Sequence, residues 1–570
     1  MFLNIEVNNQ IIKADKGETI LSALNRNGMN VPTLCFLKEL NPTGACRMCV
    51  VEVEGYENLI TACSQPIEGF MKIQTHSKRV LNARKTNLEL LLANHPDECL
   101  YCIRNGSCEL QNLAQSFNIN ERKFKNKKFT LKVDKSSAAI VKETDKCILC
   151  GRCIRICDEV QDVSALCFIK KGSSTTVGTT LNKPLSHSNC ILCGQCIMVC
   201  PTAGLHEKSH TPQVLEAMGN PKKHTVIFHS SSVSVSIAEE FGFKAGKDVS
   251  ISLNSTLKKL GFNKVFEVGV ASDIYLIELA EDIINRTQNK GPLPLFSSCC
   301  PAWIQFAEQY FPGILTSISQ IKSPQQIMGA LIKSKYADDL NLNNKDIFTI
   351  SVMPCIAKKQ EAIKGNTSIS SFSDVDCVLT TRELASLIKI KGFKLDDTET
   401  QLSDAPFVNQ SSASKLLGTS GGLTESLIRI LHHKVTGKDI NEIKQSKLRI
   451  SKGIKEISVM LGETTYNFAV VNGIGNARKL INDIMSGKKT YHFVEVMACK
   501  EGCVNGGGQP LLSEKDALKS RIKAIYDSDE KESIKFPYKN PSISEFYQAF
   551  TKSGNKNILI TNYKERTVLK

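Results

Sequence analysis

The sequence predicts an α/β domain preceded by smaller cysteine-rich α+β modules, and three observations carry that expectation. The chain has 570 residues, well beyond the ~100–200 of a typical single domain, so more than one core is required. Sixteen of its 22 cysteines crowd into the first 209 positions, where short strands and helices are punctuated by ligand-like spacings. Beyond residue 210, strand-like and helical runs alternate, the pattern of an α/β sheet whose strands end at functional loops.

Taken in order, FLNIEV alternates apolar and polar residues as a strand does, Asn8 and Asn9 make a turn, and IIKA forms a second strand. A helix over ETILSALNRNG ends at Gly28. These define a module over 1–80. VLNARKTNLELLLA has helical period and opens a second module, 81–126, centred on a His/Cys group. The lysine-rich connector RKFKNKKFTLKVDK reads as a solvated face leading into a third, cysteine-dense module, 127–209. In the α/β domain, 210–570, TVIFH, KVFEVGV, DIFTISVMPC and HFVEVMAC read as strands, with a mostly helical tail from about 505.

The excess of 72 Lys plus Arg over 57 Asp plus Glu gives a formal +15. Nucleic acid is not the expected partner, because no recognised module accompanies the charge, and metal-bound thiolates would offset part of it. Twenty-two cysteines in so long and apolar a chain do not describe a small disulfide scaffold. The opening residues lack a basic stretch followed by an apolar run, and no ~18-residue apolar segment occurs. The expectation is a cytoplasmic protein in a reducing setting, with no membrane association.

Two copies of C-x2-C-x2-C-x3-C occur, at Cys147, Cys150, Cys153, Cys157 and at Cys190, Cys193, Cys196, Cys200. In this pattern three thiolates wrap one cubane and the fourth comes from the other copy. Cys147, Cys150, Cys153 and Cys200 are therefore assigned to one [4Fe-4S] cluster, and Cys190, Cys193, Cys196 and Cys157 to another. Pro201 follows the last cysteine as the pattern expects, whereas Asp158 stands in the first copy. Upstream, Cys35, Cys46, Cys49 and Cys63 have ten, two and thirteen residues between them. They resemble the ligands of a plant-type [2Fe-2S] ferredoxin domain in altered spacing; zinc is the alternative for four cysteines. His95, Cys99, Cys102 and Cys108 offer one imidazole and three thiolates. They are similar to the [4Fe-4S] site shared by [FeFe] hydrogenases and the large peripheral subunit of respiratory NADH dehydrogenase. A neutral imidazole in place of a thiolate should raise the potential of such a cluster.

Three later loops separate those two families: FSSCCPAW with Cys299 and Cys300, SVMPCIAKKQE with Cys355, and EVMACKEGCVNGGGQP with Cys499 and Cys503. They resemble the three signatures of the [FeFe] hydrogenases, of the multi-cluster, clostridial-like kind, and the resemblance spans essentially the whole chain. It implies an α/β H-cluster domain behind ferredoxin-like iron-sulfur modules. The implied cofactors are one [2Fe-2S] cluster, three accessory [4Fe-4S] clusters and the H-cluster. The last is a [4Fe-4S] cube on Cys300, Cys355, Cys499 and Cys503, joined through the Cys503 sulfur to a diiron unit carrying CO, CN and azadithiolate ligands. The implied activity is reversible interconversion of H2 with protons and electrons.

By the same resemblance Cys299 is the relay thiol, and Lys358 is the cation that hydrogen-bonds a cyanide. Met353, Met497, Gln325 and Ser232 line the diiron pocket. Gly506, Gly507 and Gly508 allow close backbone approach. Cys167 and Cys377 fit no motif and read as buried cysteines. The family's proton path runs from the relay cysteine through a glutamate, a serine and a second glutamate near an arginine. Ser319 and Arg286 match, Asp282 stands for the outer glutamate, and Leu279 occupies the inner position, with Glu278 beside it as the substitute and Glu281 nearby. Ser297, the SSSVS segment at 230–234, Leu417 and Thr424 also depart from the common residues.

Ferredoxin or flavodoxin is the expected redox partner, with H2 and protons as substrates and maturation proteins supplying the diiron unit. Alternatives are a subunit of an NAD(P)-linked or electron-bifurcating complex and a hydrogen sensor of the same fold.

Overall fold

The computed structural model describes residues 2–124, 132–364, 373–395, 401–404, 410–440, 448–449, 452–511, 516–552 and 555–567. Residues 125–131 of the lysine-rich connector lie outside the described residues. The chain forms two compact units: Met1–Glu159 with Ser164–Ser188 and Cys196–His206, and Val160–Val163 with Asn189–Gln195 and Glu207–Lys570.

In the first unit, strands β1 (Phe2–Val7) and β2 (Gln10–Asp15) form an antiparallel hairpin. Asn8 and Asn9 make its turn at positive φ, +50° and +66°, a region that asparagine tolerates better than most residues. Helix α1 (Ile20–Arg26) is capped by the Thr19 hydroxyl, which accepts from Ser22 N–H. Strands β3 (Val50–Val53), β4 (Ile60–Thr61) and β5 (Lys72–Gln74) complete a five-stranded sheet in the order β2-β1-β5-β3-β4. Ser77 then caps α2 (Lys78–Ala93), and α3 (Glu109–Ser116) starts at Cys108. Leu34, Met48, Leu88 and Leu110 pack with Cys35, Cys46, Cys108 and Cys150 in one apolar cluster, so cysteines from all three N-terminal modules share a core.

The second unit holds two four-stranded sheets. The first, all parallel, contains β6 (His224–His229), β7 (Lys264–Glu267), β9 (Ile347–Met353) and β10 (Cys377–Thr380) in the order β7-β6-β9-β10. The second contains β8 (Leu295–Phe296), β11 (Ile454–Leu461), β12 (Thr464–Asn472) and β13 (Phe493–Met497), ordered β8-β13-β12-β11. Here β8 and β12 run parallel to β13, and β11 is antiparallel. β6 and β13 are buried on both faces, which explains the continuous apolar runs of TVIFH and FVEVM, whereas edge strand β11 exposes Glu456, Ser458 and Met460 along one face.

Helix α4 (Gly269–Gln288) is the spine of the larger core, where Ile274, Leu276, Leu279 and Ile283 meet Leu427, Leu431 and Phe468. Helices α5 (Pro301–Tyr310), α6 (Pro324–Leu331), α7 (Ala357–Lys364) and α8 (Gly422–Thr436) cover the sheets. Toward the C-terminus the chain forms α9 (Ala517–Lys531) and α10 (Pro541–Lys552). Cys377 is buried as expected, but Cys167 is only half-buried, on a short strand, Cys167–Ile169, beside the exposed Phe168.

Candidate metal centres and active site

The three signature loops leave the carboxyl ends of parallel strands. Ser297–Cys300 follows β8, Pro354–Cys355 follows β9, and Ala498–Cys503 follows β13. This is where α/β sheets place their chemistry. Cys300 is the N-cap of α5, and Cys355 accepts backbone N–H groups from Ala357 and Lys358 at the start of α7. Both sulfurs therefore sit at the positive ends of helices, which favours thiolate.

Burial pushes the Cys355 thiol up to about 12, with Cys300 adding to the rise and Lys358 opposing it. Cys499 and Cys503 are raised further, first by burial and then by Cys355 and Cys300. Four thiols within electrostatic reach of one another, two buried and two half-buried, repel one another once ionised. A cationic iron cube matches that donor set. Two of the signature loops are packed tightly together: a Cβ on Gly506 would fall 2.2 Å from Pro354 O.

Cys299 packs against the core cluster that contains Leu279. Burial, then Cys300, pushes its thiol up to about 12, and Lys358 pulls it back. The Lys358 Nζ donates to Ser323 Oγ at 2.8 Å and to both Glu361 oxygens at 3.0 and 2.8 Å. Burial opposes the Lys358 charge, but Glu361 outweighs it and holds the ammonium above its ordinary range. Met353 and Met497 are buried at the ends of β9 and β13. The Gln325 amide donates to Lys358 O at 3.2 Å and Glu361 at 3.0 Å and accepts from Ser351 at 3.0 Å, so it braces the lysine loop. Ser232 is buried and its carbonyl accepts from Gln509 at 2.8 Å.

The proton-path residues divide into separate groups. Arg286 binds Asp282 at 2.8 Å and the carbonyls of Pro292 and Thr316. Ser319 is fully buried, and its carbonyl accepts from the Tyr563 hydroxyl at 3.2 Å. Glu278 accepts from Tyr547 at 2.5 Å and pairs with Lys556 at 3.1 Å. Leu279 is an ordinary core residue.

Sequence reasoning missed Glu361 and Ser323 as partners of Lys358, although a carboxylate three residues on from a lysine in a helix is a legible pair. It also missed the Ser298 N–H, donated to the Tyr275 hydroxyl at 3.1 Å, which joins the strand end to α4.

In the first unit one cavity is lined by His95, Cys99, Cys102 and Cys108. The His95 Nδ1 is buried without a hydrogen-bond partner. Burial, then Arg122 and Lys146, lowers its imidazole to about 4, leaving a neutral lone-pair donor suited to a metal. A second cavity is lined by Cys147, Cys150, Cys153 and Cys200, the four residues assigned together from the repeat. Cys35 contacts Cys46 and Cys49 contacts Cys63, sulfur to sulfur, and charge on Cys35 reaches Cys63.

Residues 223–507 match the family described as iron only hydrogenase large subunit, C-terminal domain. Residues 515–566 match iron hydrogenase small subunit. The first 206 residues match, in turn, a 2Fe-2S cluster binding domain (2–78), an iron-sulfur binding region of NADH-ubiquinone oxidoreductase G (84–123) and a ferredoxin-like domain of NADH-quinone oxidoreductase subunit 3 (137–206). The chain belongs to the iron-only, or [FeFe], hydrogenases, oxidoreductases acting on hydrogen. It is 38% identical to iron hydrogenase 1 of Clostridium pasteurianum, covering 96% of each chain. It is 35% identical to the NADP-reducing hydrogenase subunit HndD of Solidesulfovibrio fructosivorans, covering 99% of each. A solved structure of apo [FeFe]-hydrogenase HydA1 from Chlamydomonas reinhardtii superposes with a TM-score of 0.57 at 30% identity, over 63% of this chain and 100% of that one. Among the described residues no helix is long and apolar enough to cross a membrane.

Proposed function

We propose that this hydrogenase exchanges electrons with a ferredoxin or flavodoxin through one [2Fe-2S] and three accessory [4Fe-4S] clusters, held by the ligand sets named above. The thiol tetrad at the strand ends, with Cys355 and Cys499 buried and Cys300 and Cys503 half-buried, carries this reading. Cys300, Cys355, Cys499 and Cys503 would hold the cube, and Cys503 would share its sulfur with the diiron unit. When bound, that unit supplies an open iron site and an internal base for heterolytic cleavage of H2.

The chain supplies the rest. Cys299 Sγ takes and returns the proton. Lys358, held by Glu361 and Ser323, offers a fixed positive charge toward cyanide. Met353 and Met497 keep water away. Ser319, Asp282 and Arg286 form the outer part of the proton route, and Leu279 forces the inner part onto water or onto other side chains.

The test is hydrogen evolution from reduced viologen by anaerobically matured protein, with Cys299→Ala alongside. Activity lost by at least ~100-fold in the variant, the scale of a removed acid–base group, with the diiron infrared bands retained, supports the relay role. An active variant refutes it. The full-length likeness to an NADP-reducing hydrogenase subunit favours a second reading, that of a subunit in an NAD(P)-linked complex. Co-purification with a flavin-containing subunit from the native cell would establish that reading over the first.

A further inference from the structure

The segment Asn189–Gln195 belongs to the catalytic unit, and its last residue touches the tetrad. The Gln195 Nε2 lies 3.3 Å from Cys499 Sγ and 3.2 Å from the carbonyl oxygen of Asn505. Both atoms are acceptors once the thiol is metal-bound, so the amide has one workable orientation, nitrogen inward; reversed, its oxygen would face two acceptors.

The backbone makes this reach possible. Gly194 sits at φ +74°, and a Cβ there would lie 2.9 Å from Gly507 Cα, while one on Gly507 would lie 2.7 Å from Gly194 Cα. The two loops thus press together glycine to glycine, and Gln195 is 7% exposed. Cys193 is itself within electrostatic reach of Cys499.

We propose that Gln195 is a positioning residue that sets the reduction potential of the catalytic cube, by donating an N–H to the Cys499 sulfur. The inference rests on the reading of Cys300, Cys355, Cys499 and Cys503 as the cube's ligands. Reduction adds one electron to the cube and forms no bond. The added negative charge is spread over the ligand sulfurs, so a donor aimed at one of them stabilises the reduced form and raises the potential.

The experiment uses the full chain produced without maturation proteins, so that the cube is present without the diiron unit. Its midpoint is read by redox titration with electron paramagnetic resonance, in wild type, Gln195→Met and Gln195→Glu. Methionine keeps the length and removes the donor; glutamate keeps the shape and turns an acceptor toward the sulfur. In both, the reduced-to-oxidised ratio of the cube at fixed potential should fall about threefold, which at ~59 mV per decade is about 28 mV. The clusters nearer the N-terminus should titrate as in wild type. After maturation, the carbonyl infrared bands of the variants should move to lower frequency.

An unchanged midpoint in either assembled variant overturns the proposal. Loss of the cube from both variants also overturns it, in favour of a purely structural role for Gln195. A wild-type chain that shows no cube signal would instead sink the ligand reading beneath it.

Discussion

Lys358 and Glu361 form a nearly buried ion pair one helical turn apart, with a nitrogen-to-oxygen distance of 2.8 Å and side-chain exposures of 10% and 16%. The ammonium proposed to address a cyanide ligand is therefore already partnered by the protein. In Glu361→Gln the charge of Lys358 loses its counter-ion, and stability should fall by ~1–3 kcal/mol. The cyanide infrared bands of matured protein should shift as the lysine turns toward the pocket. Urea denaturation and infrared spectra measure the two effects; unchanged cyanide bands would mean that Lys358 does not address that ligand.

Leu279 and Ser319 should behave oppositely. Leu279→Ala opens a cavity in the main core and should cost ~2–5 kcal/mol, while turnover per folded molecule stays within about twofold, because leucine carries no proton. Ser319→Ala should barely affect stability and should slow turnover in proportion to how much of the proton flow passes through it. Parallel melting curves and viologen assays separate the two; a large turnover loss in Leu279→Ala would show that this packing positions the relay.

His95 offers a test in the first unit. His95→Cys replaces a neutral ligand by a thiolate and should move one accessory cluster to a more negative potential, whereas His95→Ala should lose that cluster with the others retained. Iron content and paramagnetic resonance of the purified variants report both. Full cluster content in His95→Ala would remove the histidine from the ligand set.

Asp273 gives the chain a pH-dependent stability. Burial pushes this carboxyl up to about 7, against hydrogen bonds from the Ser411 backbone and hydroxyl. A folded pKa above the unfolded value means that the folded state binds the proton more tightly. The contribution is fully present below ~4, the unfolded carboxylate range, and is lost as pH rises through about 7. Asp273→Asn should therefore lose less stability than wild type between pH 4 and pH 8. Urea midpoints across that range check it, and parallel curves would contradict it.

How much of this was legible in the sequence depends on whether the chemistry is local. The spacing of the cysteine repeat is a property of short segments, and Cys147, Cys150, Cys153 and Cys200 line one cavity. Strands ending at Met353 and Met497 were readable from apolar runs that stop at cysteine, whereas the two-residue strand Leu295–Phe296 was too short to announce itself. What the sequence did not disclose are contacts made only by folding. Gln195 and Cys499 are 304 positions apart, Tyr275 and Ser298 meet across the core, and Glu278 turns away to Tyr547. The direction a side chain takes from a helix like α4 depends on what packs there, and the adjacent positions 278 and 279 ended on different faces.

The placement of three cysteine loops at the ends of β8, β9 and β13 has a consequence for assembly. Phe296 is opposite Val494, and Met497 is opposite Asn472, so the position of each loop is counted off along a strand ladder. A strand has a repeat of two, and a slip of one residue turns every side chain over. A mis-registered β13 would carry Cys499 and Cys503 forward by a residue and exchange the residues of FVEVM between the two cores it faces, and the proposed tetrad would not close. On that ligand set, cluster insertion would inspect the fold: only a chain whose sheets have found their proper alignment could be loaded.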